Sequence, residues 1–477
     1  MTKPLNELTI TEAAKGLRAK EFSVRELWDA CAKAAVERNG ELNAYLELFA
    51  GDEEAIALAQ ARIDSEGEAA PMLCGIPLAM KDNILIKDHV ASAASKMLQN
   101  YVATYDATVT KRLKEEGALF IGRTNMDEFA MGSSTEHSAF GVSKNPLDTS
   151  RTAGGSSGGS ASAAAAHMAI AALGTDTGGS IRQPAAHTGL VGMKPTYGAI
   201  SRSGLIALGS SLDQAGPLTK SVADAKILYE ALKGKDPLDA TTISDDTYPS
   251  PSAGKTLRIG VPRDLLTDGV DEDVLARFEE TLALLVAEGH TLVDVTLPTS
   301  GYALPVYYVI MPAEASANLA RFDGMRYGLA ERGETLLEDY VLSKSAGFGP
   351  ETIRRILLGT FVLSSGYIDA YYRKAEKVRG VLRAEYDAAF ETCDVIAFPT
   401  TPSPAFRFGE KSDPVAMYIE DVFTVTANLT GMPAISVPMG KVEREGVSLP
   451  TGIHFTAPRG ADDLLFRIGA LVTGETL

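Results

Sequence analysis

Cysteine is scarce in this chain: Cys31, Cys74 and Cys393 are its only three, far apart and without a Cys-x-x-Cys pair. That spacing excludes a disulfide framework and a thiolate zinc site, fits a reducing compartment, and leaves each as a small buried apolar residue. Histidine is equally thin. His89, His137, His167, His187, His290 and His454 stand in unrelated contexts, none with an evident carboxylate to orient it, so no serine–histidine relay is legible. Long apolar runs are missing as well. The longest, Ala161 to Leu173, contains Ser162 and His167 and falls short of the ~20 residues a bilayer requires. The start, "MTKPLNELTITEAA", has no signal-peptide core. We therefore expect no membrane association and a cytoplasmic location. Positive charge is in deficit, 45 Lys and Arg against 62 Asp and Glu for a net −17. That balance argues against a broad phosphate-gripping face, so a nucleic acid, if involved, would be held by a partner.

What remains is ordinary globular material: 477 residues, 45% hydrophobic and 22% charged, enough for a large core. Residues 8–38 read as two amphipathic helices, the second starting at a Ser23 cap. "LNAYLELF" reads as a strand and "EEAIALAQARIDSEG" as a helix. From Pro71 short apolar runs alternate with helices: "GIPLAMKDNILI" extended, "DATVTKRLKEEG" helical with a glycine stop, "ALFIG" a buried strand. This alternation predicts an α/β fold. Lys233 to Lys255 is polar and turn-rich, a surface connection; "TLRIGVP" resumes the sheet, and residues 271–390 read as largely helical. A last α/β portion begins with "CDVIAFPTTPSP" and includes the stretch Ala434 to Gly440.

One segment breaks the pattern. "AGGSSGGSASAAAAHMAIAALGTDTGGSIRQP", Ala153 to Pro184, holds two glycine–serine clusters inside one supersecondary unit. A disordered linker would not run straight into helix formers at Ser160–Ala166 and a short buried strand, "HMAIAAL". The clusters sit at element boundaries, where backbone N–H groups are unpaired and bulk would block close approach. Neither is a phosphate loop. "GGSSGGSA" lacks the Lys-Ser/Thr of a P-loop, and no Gly-x-Gly-x-x-Gly is present.

Acyl transfer fits better, since it needs a nucleophile, a base and donors for an oxyanion. Ser180 follows Thr177-Gly178-Gly179, whose N–H groups could converge on one point. With no histidine base in sight, Lys81 in "AMKDN" is the candidate, at the end of an apolar extended run where burial would lower its pKa. A fall of ~3 units from ~10.4 would bring it into range for a base near neutral pH.

"GGSSGGSASAAAA", "LGTDTGGSIRQPAAHTGLVGMKPTYG" and "GIPLAMKDN" together resemble the amidase signature family. The resemblance implies an α/β fold with a large mixed central β-sheet covered by helices on both faces. It also implies one domain over 1–477, with a signature core at about 71–215 and a mainly helical insertion at about 271–390. By resemblance Ser180 is the nucleophile, Ser156 the bridging serine after a cis Gly155–Ser156 bond, and Lys81 the base. The N–H groups of Thr177, Gly178, Gly179 and Ser180 form the oxyanion hole, and Asp176 with Arg182 orders the loop. No metal is implied.

"SKMLQNYVATYDATVTKRL", "GRTNMDEFAMGSSTEHSAFG", "ARFDGMRYG" and "LLGTFVLSSGYIDAYYRKA" extend the resemblance to one branch of that family, the glutaminase subunits of tRNA-dependent amidotransferases. It implies hydrolysis of glutamine, with ammonia passed to a B subunit that uses ATP and Mg²⁺ to amidate Glu-tRNA(Gln) and, in many bacteria, Asp-tRNA(Asn). A small C subunit would complete a heterotrimer, with misacylated tRNA bound mainly through B and no cofactor in this chain. Glutamine carries two opposite charges, so its pocket needs their complements. Arg354 or Arg355 would take the carboxylate, Asp421 the ammonium, and Tyr307 or Tyr308 would line the pocket. A stand-alone amidase acting on small amides is the alternative. "RTAGGSS", where Val-Pro is more usual, departs from the branch without touching the triad.

Overall fold

A computed structural model describes residues 3–248, 254–266 and 269–477. Its organising feature is a mixed sheet of 11 strands in the order β1-β3-β2-β6-β8-β7-β12-β13-β11-β9-β10. The strands are β1 (Tyr45–Leu48), β2 (Pro77–Lys81), β3 (Leu119–Thr124), β6 (Ala171–Asp176), β7 (Val191–Lys194), β8 (Gln214–Thr219), β9 (Arg258–Val261), β10 (Thr291–Asp294), β11 (Val395–Pro399), β12 (Ala434–Arg444) and β13 (Val447–Thr456). A separate hairpin pairs β4 (Lys144–Asn145) with β5 (Asp148–Thr152).

Parallel pairing runs through β3-β2-β6 at one end and β11-β9-β10 at the other, with antiparallel strands between. Every residue of β2, β6, β7, β8 and β11 is buried, so the middle of the sheet is covered on both faces. The edge strand β10 is mostly exposed, as a terminal strand with one open side should be.

The local signals behave as their chemistry dictates. Thr9 with Glu12 and Ser23 with Glu26 form capping boxes on helices Ile10–Arg18 and Val24–Leu42. The second helix runs beyond residue 38 and stops at Asn43, which adopts the left-handed conformation. All three cysteines are buried and free.

Two expectations need correction. The extended reading of "GIPLAMKDNILI" holds only to Lys81, where the Ile84 N–H turns back to the Lys81 carbonyl. "HMAIAAL" does not begin a strand at His167, which sits in a turn at φ 57°; β6 starts at Ala171 and runs on to Asp176. Pro184 lies in the first turn of helix Arg182–Thr188, where its missing N–H costs nothing. Residues 271–390 are helical over most of their length, as expected, and also contribute strand β10 to the sheet edge.

The turn-rich connection is anchored rather than loose: the Asp236 carboxylate accepts from Ser201 at 2.6 Å and Thr108 at 2.5 Å. Its residues 249–253 lie outside the described residues. Helices Ala303–Leu319, Pro350–Leu363 and Tyr372–Ala389 pack on one another and, through helix Val425–Thr430, lie beside the carboxyl end of β6. Among the described residues no helix is long and apolar enough to cross a membrane.

Candidate active site

β2 and β6 are adjacent and parallel, so their carboxyl ends, Lys81 and Asp176, reach the same edge of the sheet. Ligand sites in α/β sheets form at such ends. Lys81 is fully buried there, and the chain after it is held by Asp82, which accepts from Arg123 and from the Ala94 N–H at 2.8 Å each. Its Nζ lies 2.8 Å from Ser156 Oγ, 2.8 Å from Ser157 Oγ and 3.3 Å from the Thr175 carbonyl. Burial pushes the ammonium down to about 7, against the opposing pull of Asp127, Asp176 and Asp213. A base that is half neutral at physiological pH results.

Ser157 is a partner the sequence did not mark. Its hydroxyl donates to the Thr175 carbonyl at 3.2 Å, so toward Lys81 it can only accept. The lone pair of a neutral Lys81 is thereby left to Ser156.

The Gly155–Ser156 bond is cis. Gly155 donates its N–H to Gln183 Oε1 at 2.9 Å and is walled in so closely that a Cβ would lie 2.6 Å from the Ser134 nitrogen and collide with Asp127. Only glycine fits. Asp127 in turn accepts the N–H groups of Thr135 (2.8 Å) and His137 (3.1 Å), ordering the loop between them.

Ser180, 8% exposed, ends the turn between β6 and helix Arg182–Thr188. Its carbonyl accepts from the Ser157 N–H at 3.2 Å, which brings the two glycine clusters together. Among the described residues, the N–H groups of Thr177, Gly178, Gly179 and Ser180 donate to no protein acceptor. Four consecutive unspent donors make an anion-binding concavity. Gly179, at φ 144°, has Thr424 against the position a Cβ would take, and Thr424 Oγ1 donates to the Gly178 carbonyl at 2.5 Å. The Thr177 hydroxyl donates to Asp213 at 2.7 Å; burial lifts that carboxyl to about 6 despite this bond and those from Gly209 and Leu208.

Beneath the turn, Asp176 and Arg182 form a fully buried bidentate pair at 2.8 and 3.0 Å. Burial opposes the Asp176 charge, but Arg182 outweighs it and holds the carboxyl below its ordinary range. Asn428 bonds both partners, and Arg182 also donates to the Thr424 carbonyl and to His454 Nε2, each at 2.9 Å. Burial and the Arg182 charge keep His454 neutral, so it accepts. This pair builds the turn; it does not face it.

The glutamine-pocket candidates separate clearly. Arg354 is half exposed and reaches in to the buried Glu351, whereas the Arg355 side chain is 5% exposed and turned inward. Arg355 Nε donates to Glu351 at 2.6 Å and Nη1 approaches Met311 Sδ at 3.8 Å, while Nη2 donates to no described residue. Tyr308 and Tyr418 stack 3.9 Å apart, and the guanidinium carbon is 5.0 and 4.9 Å from their centroids. Being equidistant from a stacked pair, it lies against the ring edges and is confined rather than held over a face. Tyr418 donates to Glu351 at 3.0 Å. Tyr307 packs over the turn, 2.8 Å from where a Gly178 Cβ would be. Asp421 is buried and accepts from Ser133 at 2.8 Å; burial pushes it up to about 7, against that bond and the Arg355 charge.

Sequence reasoning thus missed Ser157, Asp127, Ser133, Gln183, Asp213, Glu351, Tyr418, Thr424 and Asn428. Ser157 could have been suspected from its place beside Ser156. Glu351 stands one helical turn before Arg355, a spacing that marks an ion pair, and Gln183 adjoins Arg182 in the motif; the others are brought in from distant segments and carry no spacing signal.

A buried lysine near its titration point, a serine beside it, a second serine beside free N–H groups and a confined arginine form an arrangement suited to amide hydrolysis. Comparison with known proteins agrees. The Amidase family model matches residues 26–466. The chain belongs to the amidase family.

Within it, the chain is 47% identical to the A subunit of the glutamyl-tRNA(Gln) amidotransferase of Desulfatibacillum aliphaticivorans over 473 residues, covering 98% of this chain and 96% of that one. It is 48% identical to the same protein of Roseiflexus castenholzii over 474 residues, covering 98% and 95%. Among solved structures it resembles the A subunit of the Thermotoga maritima glutamyl-tRNA(Gln) amidotransferase, with a TM-score of 0.80, 38% identity and 99% and 95% coverage. It also resembles the peptide amidase of Stenotrophomonas maltophilia, at 0.82, 28%, and 99% and 97%.

Proposed function

We propose that this chain is the glutaminase subunit of a glutamyl-tRNA(Gln) amidotransferase. One observation supports the reading above the others. Arg355 is buried with donors unspent, and Asp421 is buried in its field, yet among the described residues the two form no ion pair. Opposite charges held apart in this way complement an α-carboxylate and an α-ammonium, which a simple amide does not possess. The names of the relatives point the same way.

A lysine–serine–serine relay carries the proposed chemistry. Neutral Lys81 takes the Ser156 hydroxyl proton as Ser156 takes that of Ser180, and Ser180 Oγ attacks the glutamine carboxamide carbon. The N–H groups of Thr177, Gly178, Gly179 and Ser180 receive the oxyanion. Collapse returns the proton to the leaving nitrogen, releasing ammonia and leaving a γ-glutamyl ester on Ser180, which water hydrolyses to glutamate. In the proposed heterotrimer the ammonia passes to a B subunit. That partner holds the misacylated tRNA and uses ATP and Mg²⁺, with a C subunit joining the two in the cytoplasm. Glu-tRNA(Gln) is the proposed acceptor, with Asp-tRNA(Asn) a second. This chain needs no cofactor for its own step.

The test is tRNA amidation by the assembled complex with each nitrogen donor in turn. Ser180→Ala should end amidation from glutamine and preserve ATP-dependent amidation from added ammonium, because ammonia can reach the second site without this pocket. Equal failure with both donors in an intact complex would overturn the two-site reading. If no complex forms with the unaltered chain and it hydrolyses amides alone, it is a solitary amidase.

A further inference from the structure

The first turn of helix Pro350–Leu363, which carries Glu351 and Arg355, has no cap of its own: its N-cap is Gly349. The cap comes from far away in sequence. Glu128, buried just beyond β3, accepts the Gly349 N–H at 2.8 Å and the Thr352 hydroxyl at 2.6 Å on Oε2. Its Oε1 accepts the Ser95 hydroxyl at 2.5 Å. A carboxylate on two donors of a helix's first turn both satisfies and orients that turn.

The segment that follows Glu128 leads to the other half of the pocket. Phe129, Ala130 and Thr135 all have positive φ, at 49°, 63° and 61°, so the loop is tightly wound. Within it Ser133 donates its hydroxyl to Asp421 at 2.8 Å, and its carbonyl accepts from Gln183 at 2.7 Å. One side chain therefore fastens the helix bearing the cation to the loop that holds the anion. Glu128 touches neither substrate charge nor reacting atom.

We propose that Glu128 is a positioning residue that sets the separation of Arg355 from Asp421, and thereby the fit of an α-amino acid. This rests on the glutaminase reading. Truncation frees the helix end, so the arginine drifts relative to Asp421 while Lys81, Ser156 and Ser180, on other elements, keep their geometry.

The experiment is steady-state glutamine hydrolysis by the full chain in its assembled complex. Glu128→Ala should raise KM about tenfold and leave kcat within about threefold, the pattern of lost substrate binding rather than lost chemistry. Glu128→Gln should return KM to within about threefold of the unaltered enzyme, because its amide oxygen can still accept from Gly349 and Thr352. In an Arg355→Lys background, Glu128→Ala should add less than about twofold, since both changes act through one contact. Equal losses in kcat and kcat/KM, or independent multiplication of the two effects, would overturn the proposal. Should Glu128→Ala fail to assemble, Thr352→Val removes one bond only, and an unmoved KM there would overturn it too. An unaltered complex that turns over no glutamine removes the glutaminase reading and this inference with it; normal turnover with an unmoved Glu128→Ala KM removes this inference alone.

Discussion

Arg354 and Arg355 are neighbours in the chain, yet a helix turns successive side chains by about 100°, so only one can face the pocket. Arg355→Ala should raise the KM for glutamine about ten- to hundredfold, the worth of a buried charge-assisted hydrogen bond. Arg354→Ala should stay within about twofold, since its half-exposed side chain leaves the Arg355–Glu351 bond in place; comparable effects from both would refute the assignment. Lys81 makes a prediction about pH. In the proposed relay the working form is the neutral amine, which burial favours by pushing the ammonium down to about 7, so activity should be absent at low pH and appear as pH rises through that region. Asp421, also pushed to about 7, must lose its proton to hold an ammonium, so its effect on KM has the same sign. The kcat/KM profile should therefore climb and then flatten above neutrality, and a flat profile between about pH 6 and 8 would contradict a base titrating near neutrality. Lys81→Arg should lower turnover by roughly 10²–10⁴-fold, because a guanidinium remains protonated and cannot accept the relay proton.

Between β6 and helix Arg182–Thr188, a short turn presents Ser180, the proposed nucleophile, and four N–H groups that donate to no acceptor among the described residues, and its shape depends on what lies beneath it. Asp176 closes the strand, Arg182 opens the helix, and their pair is fully buried with Asn428 bonded to both. Asp176→Asn would leave the Arg182 charge without its partner in the interior. That should cost about 3–5 kcal/mol of stability and appear as a lower thermal midpoint together with lost hydrolysis. An Asp176→Asn protein of unaltered midpoint would show that the pair does not hold the turn. Gly179→Ala tests the same element from above. Its positive φ and the crowding by Thr424 both oppose a methyl group, so glutamine hydrolysis should fall while helix content measured by circular dichroism stays unchanged. The turn was legible as a site because glycine and serine cluster there. Its foundation was legible only as an opposite-charge pair six residues apart.

At the scale of the whole molecule, a net charge of −17 is the relevant quantity. A surface so rich in carboxylates repels a polyanion, and affinity for nucleic acid comes mainly from Lys and Arg on phosphates. The isolated chain should therefore fail to retain tRNA at about 0.15 M salt and micromolar concentration, while the assembled complex retains it. Tight binding by the chain alone would put the tRNA on this protein rather than on its partner. The sheet itself draws on distant stretches of sequence. β13 sits between β12 and β11, and β9 and β10 close the far edge although they precede β11 in the chain.

Local chemistry decided what could be read in order along the chain. Capping boxes at Thr9 and Ser23, buried apolar strands and glycine clusters act over a few residues, so their signals survive in sequence. The α/β class followed from the alternation of those elements, and the proposed triad rests on motif resemblance. Strand order, the burial of Arg355 beside a half-exposed Arg354 and the contacts of Glu128 did not follow. Each depends on contacts between segments up to hundreds of residues apart: Ser133 meets Asp421, and Glu128 meets Gly349. Such contacts are selected by the burial of the whole core, and a carboxylate reads the same in sequence whether it faces water or caps a distant helix.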